Sequence, residues 1–458
     1  MRWVQNVSYS IKSYLSQHIS AANLRVAAFA VALFSCLVSG SILLFTLFGP
    51  SFHSVIGLSY LEINWIASLS AGGMYLCLPA LGYLSDCYGP SILSFLSVWF
   101  FVPSYAFNSY LVSTGCNKLA LYCCTFCFIG LATSSLYFSS LLTCAKIFPK
   151  HKGLAISLPV TCYGLSALIG SQLLKLDYFR MIYKLDGGDM LDLVKVFRFF
   201  AWLYAIVGVL SFISSSIVLV EQDVIFDLDE TDVDDASTPL LHDDLTPQRS
   251  VRSIDPPNHK KRFITFLKDV SSWVLLISLI MNIGPMESYQ NNLSSIVAIL
   301  QPVKSESNLS DKVSVLATSS TIARLVFGGL SDLFETKGYS SVPLLLTSVV
   351  CGIGGQWFNN VVLNGVSYGG MFTIYPTLVA SVWGIDIMGS TWGSFMVAPA
   401  MGSIMFSLFY GKVADAGQNG NGVERLHIYF AATSFSLLVS CILILSAYRI
   451  WRKRGQSC

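Results

Sequence analysis

Charge is what this chain is short of. Only 12% of its 458 residues are Asp, Glu, Lys or Arg, against about 25% in a soluble protein. With 53% hydrophobic residues it cannot cover itself with polar surface, so a water-soluble fold is excluded and lipid is the expected solvent. The net charge is only +2 and the basic residues form no stripe, which excludes a nucleic-acid partner. No nucleotide-binding loop is present, so a solute gradient would have to drive any uphill work. The six His (His18, His53, His151, His242, His259 and His427) lie outside the apolar runs or at their ends. No Cys/His spacing fits a zinc site. An enzyme centre, a metal and a cofactor are therefore not expected. The twelve Cys lie mostly inside apolar runs, as Cys123, Cys124 and Cys127 do, where Cys acts as a small hydrophobe. Residues 1–24 lack an apolar core, so no cleavable signal is expected, and the run from Arg25 reads as an uncleaved anchor.

What the chain has in abundance is long apolar runs. A bilayer-spanning helix needs about 20 mostly apolar residues. Twelve runs qualify, near 25–48, 61–84, 91–112, 119–143, 153–173, 198–220, 268–288, 311–332, 342–360, 365–384, 391–411 and 427–448. The expected fold is an all-α membrane protein of two six-helix halves, 25–220 and 268–448, with tails at 1–24 and 449–458. Between the halves, 221–267 reads as a disordered loop. Glu221 to Asp244 carries ten acidic residues and no Lys or Arg, and basic residues return from Arg249. Such a segment cannot bury enough apolar surface to fold alone. Within it, Leu240 and Leu241 follow a run of aspartates and resemble a dileucine signal for a sorting adaptor, although Asp235 lies one residue too far from the pair. Lys and Arg concentrate in loops on the side of both termini and the central loop, which places those in the cytosol. Asn308-Leu309-Ser310 then faces away from the cytosol as a glycan acceptor.

Two pentapeptides match across the halves. Gly82-Tyr83-Leu84-Ser85-Asp86 ends the second run of the first half, and Gly328-Gly329-Leu330-Ser331-Asp332 ends the second run of the other. A long-period repeat suggests two related bundles, as in transporters. The first copy extends through Gly89-Pro90 and resembles the signature between helices two and three of the major facilitators. Gly82 and Gly328 would let helices pack closely. Asp86 would favour a neighbouring helix N-terminus; in the facilitators this contact latches one conformation. The basic residues that follow in the family are absent here, since Pro90-Ser91 stands in their place. Lys146 to Gly153 resembles the family's basic loop between helices four and five, and a plain positive-inside loop accounts for it equally well.

Arg324 lies inside the eighth run, four and eight residues before Gly328 and Asp332, so the three share one helix face. A guanidinium there costs roughly 2.5–3.5 kcal/mol at the helix centre. It either grips an anion, as its bidentate fork suits, or is held by a permanent acidic partner or snorkels to the cytosolic face. Glu287 follows Gly284-Pro285, a helix breaker. It either lines a cavity as a proton carrier, with Tyr289, Asn291 and Asn292 supplying neutral hydrogen bonds, or sits exposed beyond a helix that ends at Gly284. Asn64, in the second run, is a further polar candidate, and Gln356 is similar.

Gln290 to Asn292, Arg324 to Asp332, Tyr368 to Pro376 with Trp383-Gly384, and the acidic loop together resemble the fungal monocarboxylate-transporter-homologue family, in particular its vacuolar branch. The resemblance covers nearly the whole chain. It implies a multi-pass vacuolar membrane protein carrying a small solute, an organic anion, with or without a proton, by alternating access. It also implies substrate handling by a helix-eight Arg, a position that Arg324 matches approximately. The alternative is a non-transporting receptor or scaffold that signals through 221–267.

Overall fold

Backbone N–H and C=O groups in lipid must be satisfied within the segment, so long apolar runs become helices. The computed structural model describes residues 2–182, 189–231, 256–300, 307–416 and 422–454. Among the described residues ten helices are long and apolar enough to cross a membrane. In chain order the spans are Ala21–Leu44 (first), Trp65–Tyr88, Ser91–Ser113, Leu119–Ile147, Lys152–Leu173, Leu193–Val218 (sixth), Val270–Asn291 (seventh), Lys312–Thr336 (eighth), Ile385–Ala414 (eleventh) and Val423–Lys453 (twelfth). The ninth and tenth are Val342–Trp357, of only 16 residues, and Val361–Trp383, whose stretch Asn364-Gly365-Val366-Ser367-Tyr368-Gly369-Gly370 dilutes its hydropathy. The twelve form two bundles of six, as expected.

The bundles repeat one packing pattern. In the first, the second span packs on the fourth, the third on the sixth, and the first on the fifth; in the other, the eighth packs on the tenth, the ninth on the twelfth, and the seventh on the eleventh. Among the described residues, the two most extensive contacts between the halves lie at the end that carries both termini: the second span on the eleventh, and the fifth on the eighth. Counted within its own bundle, each of these pairs is the other reversed. The second span is two helices, Tyr60–Leu76 and Leu78–Tyr88, broken beside Pro79, which has no N–H to continue the ladder. The Ser134 hydroxyl donates to the Met74 carbonyl next to that break.

Several boundaries differ from the sequence expectation. Residues 1–24 are not a bare tail: Arg2–His18 is a helix whose buried Ser8 joins Ser91 and Ser216 in a hydroxyl network. Nor is 221–267 disordered at its ends. Helix Leu193–Thr231 continues out of the sixth span, with no Gly or Pro after Gly208 to stop it. Pro256–Lys268 is a second helix, because Phe263 and Phe266 recur at a helical interval and find partners, Phe266 against Trp383 and Phe395. Leu240 and Leu241 lie outside the described residues, as do the side chains of Asn64 and Asn308.

Candidate functional site

The termini-side seal is built from two carboxylates, each capping a helix that begins in the opposite half. Asp86, at the end of the second span, accepts from the backbone N–H of Gly389 at 3.1 Å and of Ser390 at 2.5 Å. Asp332, at the end of the eighth, accepts from Gly153 at 2.6 Å and Leu154 at 3.0 Å. Both carboxylates are buried. The first turn of a helix leaves N–H groups unpaired and carries a partial positive charge, so each contact combines hydrogen bonds with the helix dipole. Close approach requires glycine at these crossings. A methyl on Gly82 would overlap the Gly389 carbonyl, and one on Gly328 would overlap Ser157. Gly89 (φ 89°) turns the chain out of the second span. Lys146, buried, faces Asp86. The basic loop thus contributes Lys146 to one cap and the Gly153 and Leu154 amides to the other.

Helix Pro256–Lys268 covers the first of these caps. His259 is buried, its ring lies tilted against Tyr83 at 5.2 Å, and its Nε2 lies 3.1 Å from the Ser390 hydroxyl. Arg262 pairs with Asp386 at 3.3 Å. Burial, with Lys146 and Arg262 nearby, holds the His259 imidazole below its ordinary value of 6.5. Protonation is therefore easier when the helix is undocked. The contact is at full strength above 6.5 and weakens as pH falls below it. Amide exchange in 256–268 should accelerate as pH is lowered from 7.5 to 5.5, after correction for intrinsic rates. In His259→Gln that acceleration should vanish; its persistence would assign the effect to another group.

The second layer lies deeper, between the halves. Arg324 is 8% exposed. Its Nη1 donates to the Val160 carbonyl of the fifth span at 2.8 Å. The guanidinium lies against Gly164, where a methyl would overlap it, and 5.8 Å from the Tyr368 ring centroid. Its Nε is buried with no partner. No carboxylate pairs with it among the described residues. The permanent ion pair and the snorkelling side chain, both open from sequence, are thus not what is found. Glu287 is 9% exposed, and its carboxyl faces the hydroxyls of Tyr75 and Ser403. The seventh helix does not end at Gly284. It runs through Pro285 to Asn291, with Gly284 against Gly402. Tyr163 and Tyr368 stand close to both Glu287 and Arg324, and Tyr137 packs tilted against Tyr163 at 4.8 Å. The result is a buried cation, a buried carboxyl and four tyrosines, drawn from the second, fourth, fifth, seventh, eighth and tenth spans.

The predicted polar companions of Glu287 divide. Asn291, one turn on, donates to the Ser403 hydroxyl at 3.2 Å and belongs to the edge of the site. Tyr289 does not: its side chain packs with Phe430 in an outer apolar cluster and donates to Asn359 at 3.3 Å. Asn292 bonds the Ser288 carbonyl of its own helix at 2.8 Å. Gln356 is likewise spent within its bundle, on Asn364 and Thr433. Sequence reasoning missed the four tyrosines. Their signal is weak, since aromatics inside apolar runs are ordinary core residues.

Residues 27–407 match the model of the Major Facilitator Superfamily. A protein of Candida albicans named "Probable transporter MCH1" is 58% identical, covering 99% of this chain and 98% of its own. A protein of the same name from Saccharomyces cerevisiae is 33% identical over 98% and 97%. Among solved structures, the major facilitator FucP in its outward conformation superposes with a TM-score of 0.61 at 14% identity, covering 92% of this chain and 98% of that one.

Proposed function

We propose, for a chain that belongs to the major facilitator superfamily and within it to the fungal monocarboxylate-transporter-homologue family, carriage of a small organic anion across the vacuolar membrane by alternating access. Transport of small solutes is the family's business; the anion is our reading of the site. The observation that carries it is Arg324, a buried guanidinium between the halves with an unpaired Nε and no acidic partner among the described residues. A charge so placed is stable only with a counter-charge, and a carboxylate supplies one in the geometry the fork prefers. The tyrosines add hydroxyl donors and ring faces around it. Glu287, across Tyr163 and Tyr368 from Arg324, is the proton carrier, and Asn291 borders it. Arginines and lysines gather at the termini face, among them Lys152, Arg262 and Arg454, which supports cytosolic termini. Asn308 would then be available for glycosylation on the far side, and Leu240 and Leu241 for a sorting adaptor.

A thermal-shift screen of the purified full chain tests the reading, with mono- and dicarboxylates, amino acids and sugars, and Arg324→Ala in parallel. A ligand at 100 times its Kd stabilises by about 2.7 kcal/mol. A carboxylate should give that shift in the native chain and none in Arg324→Ala. Shifts from neutral sugars alone, equal in the variant, would make Arg324 a structural residue and remove the anion from the proposal.

A further inference from the structure

A cavity of about 470 Å³ lies at the termini end of the second bundle, lined by none of the residues of the site between the halves. Its walls are Leu330, Leu333 and Phe334 from the last turns of the eighth span, Pro343 from the ninth and Tyr448 from the twelfth. Lys337 and Tyr339, from the turn between the eighth and ninth spans, stand at its mouth, with Ser340 beside them. Gly338 (φ 72°) turns the chain between Lys337 and Tyr339, both of which line the cavity, and Tyr339 sits edge-on to Phe334 at 6.3 Å.

Three properties fix what fits. The walls are hydrocarbon, and they open sideways, since Leu333 is 56% exposed on a membrane-spanning helix. The mouth is basic. Lys337 has no ion-pair partner among the described residues, because its acidic neighbour Glu335 is taken by Lys152 at 2.8 Å. Arg452, exposed, follows Tyr448 by one helical turn and lies on the same face. The mouth also offers hydroxyls: among the described residues no hydrogen bond engages those of Tyr339 and Tyr448, while Ser340 accepts from the Val342 N–H at 3.2 Å. An apolar slot open to the bilayer, with cations and hydroxyls at the depth where spans end, matches an acyl chain joined to an anionic head group.

We infer that this cleft is a binding site for one anionic phospholipid. An acyl chain lies between Leu333, Phe334 and Pro343, and the head-group phosphate lies on Lys337 within reach of the Tyr339 and Tyr448 hydroxyls and of Arg452. The site is independent of the transported solute and of the anion reading of Arg324.

Native mass spectrometry of the full chain in detergent tests it, with dioleoyl phosphatidylserine, dioleoyl phosphatidylcholine and soluble glycerophosphoserine as probes. One phosphatidylserine should bind in preference to phosphatidylcholine. A basic residue near an anionic lipid is worth about 1 kcal/mol, so Lys337→Ala should weaken it about fivefold; Lys337→Arg should restore it. Leu333→Trp, which fills the slot without touching charge, should reduce phosphatidylserine binding while the fold, read by melting temperature, is unchanged. Equal binding of the two lipids, or indifference to both Lys337→Ala and Leu333→Trp, would overturn the inference. Competition by glycerophosphoserine at concentrations equal to the lipid would overturn it too, since the acyl chain would then contribute nothing.

Discussion

Glu287→Gln is expected to abolish pH-driven accumulation of the solute while leaving exchange of labelled for unlabelled solute intact. The amide keeps the shape and still faces the hydroxyls of Tyr75 and Ser403 but cannot take up or release a proton. No basic side chain pairs with Glu287 among the described residues. A charged carboxylate there would be stripped of water with only hydroxyls in return, so a proton should accompany it through the sealed intermediate. A gradient of one pH unit then supports about a tenfold concentration ratio, or about 1.4 kcal/mol. In proteoliposomes that ratio should fall to about one in the variant. Undiminished accumulation would remove Glu287 from coupling, and loss of exchange as well would make it a binding residue. Neither result would bear on Arg324, whose role the ligand screen reads separately.

The second large effect concerns the two caps. Asp86→Asn and Asp332→Asn each replace charge-assisted bonds to two backbone amides, worth about 1.5–3 kcal/mol apiece. Each also turns an amide NH2 toward donors. Combined, they should shift the balance from the termini-sealed state by a factor of about a hundred or more. Hydrogen exchange in peptides spanning 152–157 and 388–395 reads this directly, because those segments contain the capped amides. Each single variant should deprotect mainly its own segment, and the double variant both. If the double variant left exchange unchanged, the seal would rest on apolar packing such as Tyr83 against Phe263, with the carboxylates incidental.

How the sequence relates to this arrangement is instructive at particular residues. The twelve runs and the paired Gly-x-x-x-Asp motifs were legible because hydropathy and repetition are properties of the chain itself. The groups that Asp86 and Asp332 bind were not. They are backbone N–H groups at helix starts, which any residue presents, so Gly389, Ser390, Gly153 and Leu154 carry no chemical label. Arg324 was legible because a charge in an apolar run is expensive, yet its resting partner, the Val160 carbonyl, again has no side-chain signature. The error over Tyr289 has a simple cause. If Gly284-Pro285 unwound the helix into a cavity, the polar residues just beyond it would all be free to line that cavity. Because the helix continues through Pro285, residue 289 points away from the face that 287 and 291 share. The expected disorder of 256–267 failed for another reason. Phe263 and Phe266 are too few to fold a segment alone, but they suffice to dock one onto an existing surface.

The ninth span leaves one consequence for the membrane itself. Sixteen residues rise about 24 Å, whereas the hydrocarbon layer is about 30 Å thick. The helix is packed along the tenth and twelfth spans, and its other side meets lipid through Val350 and Trp357, with Phe358 just beyond its end. A stretch this short is met by a thinner bilayer and by aromatic anchors at its rim. One flank of the protein therefore carries a built-in hydrophobic mismatch, and the bilayer's thickness enters the energy of any rocking that moves that flank. The same polypeptide should work differently in a thick, sterol-rich membrane than in a thin one, with no residue changed.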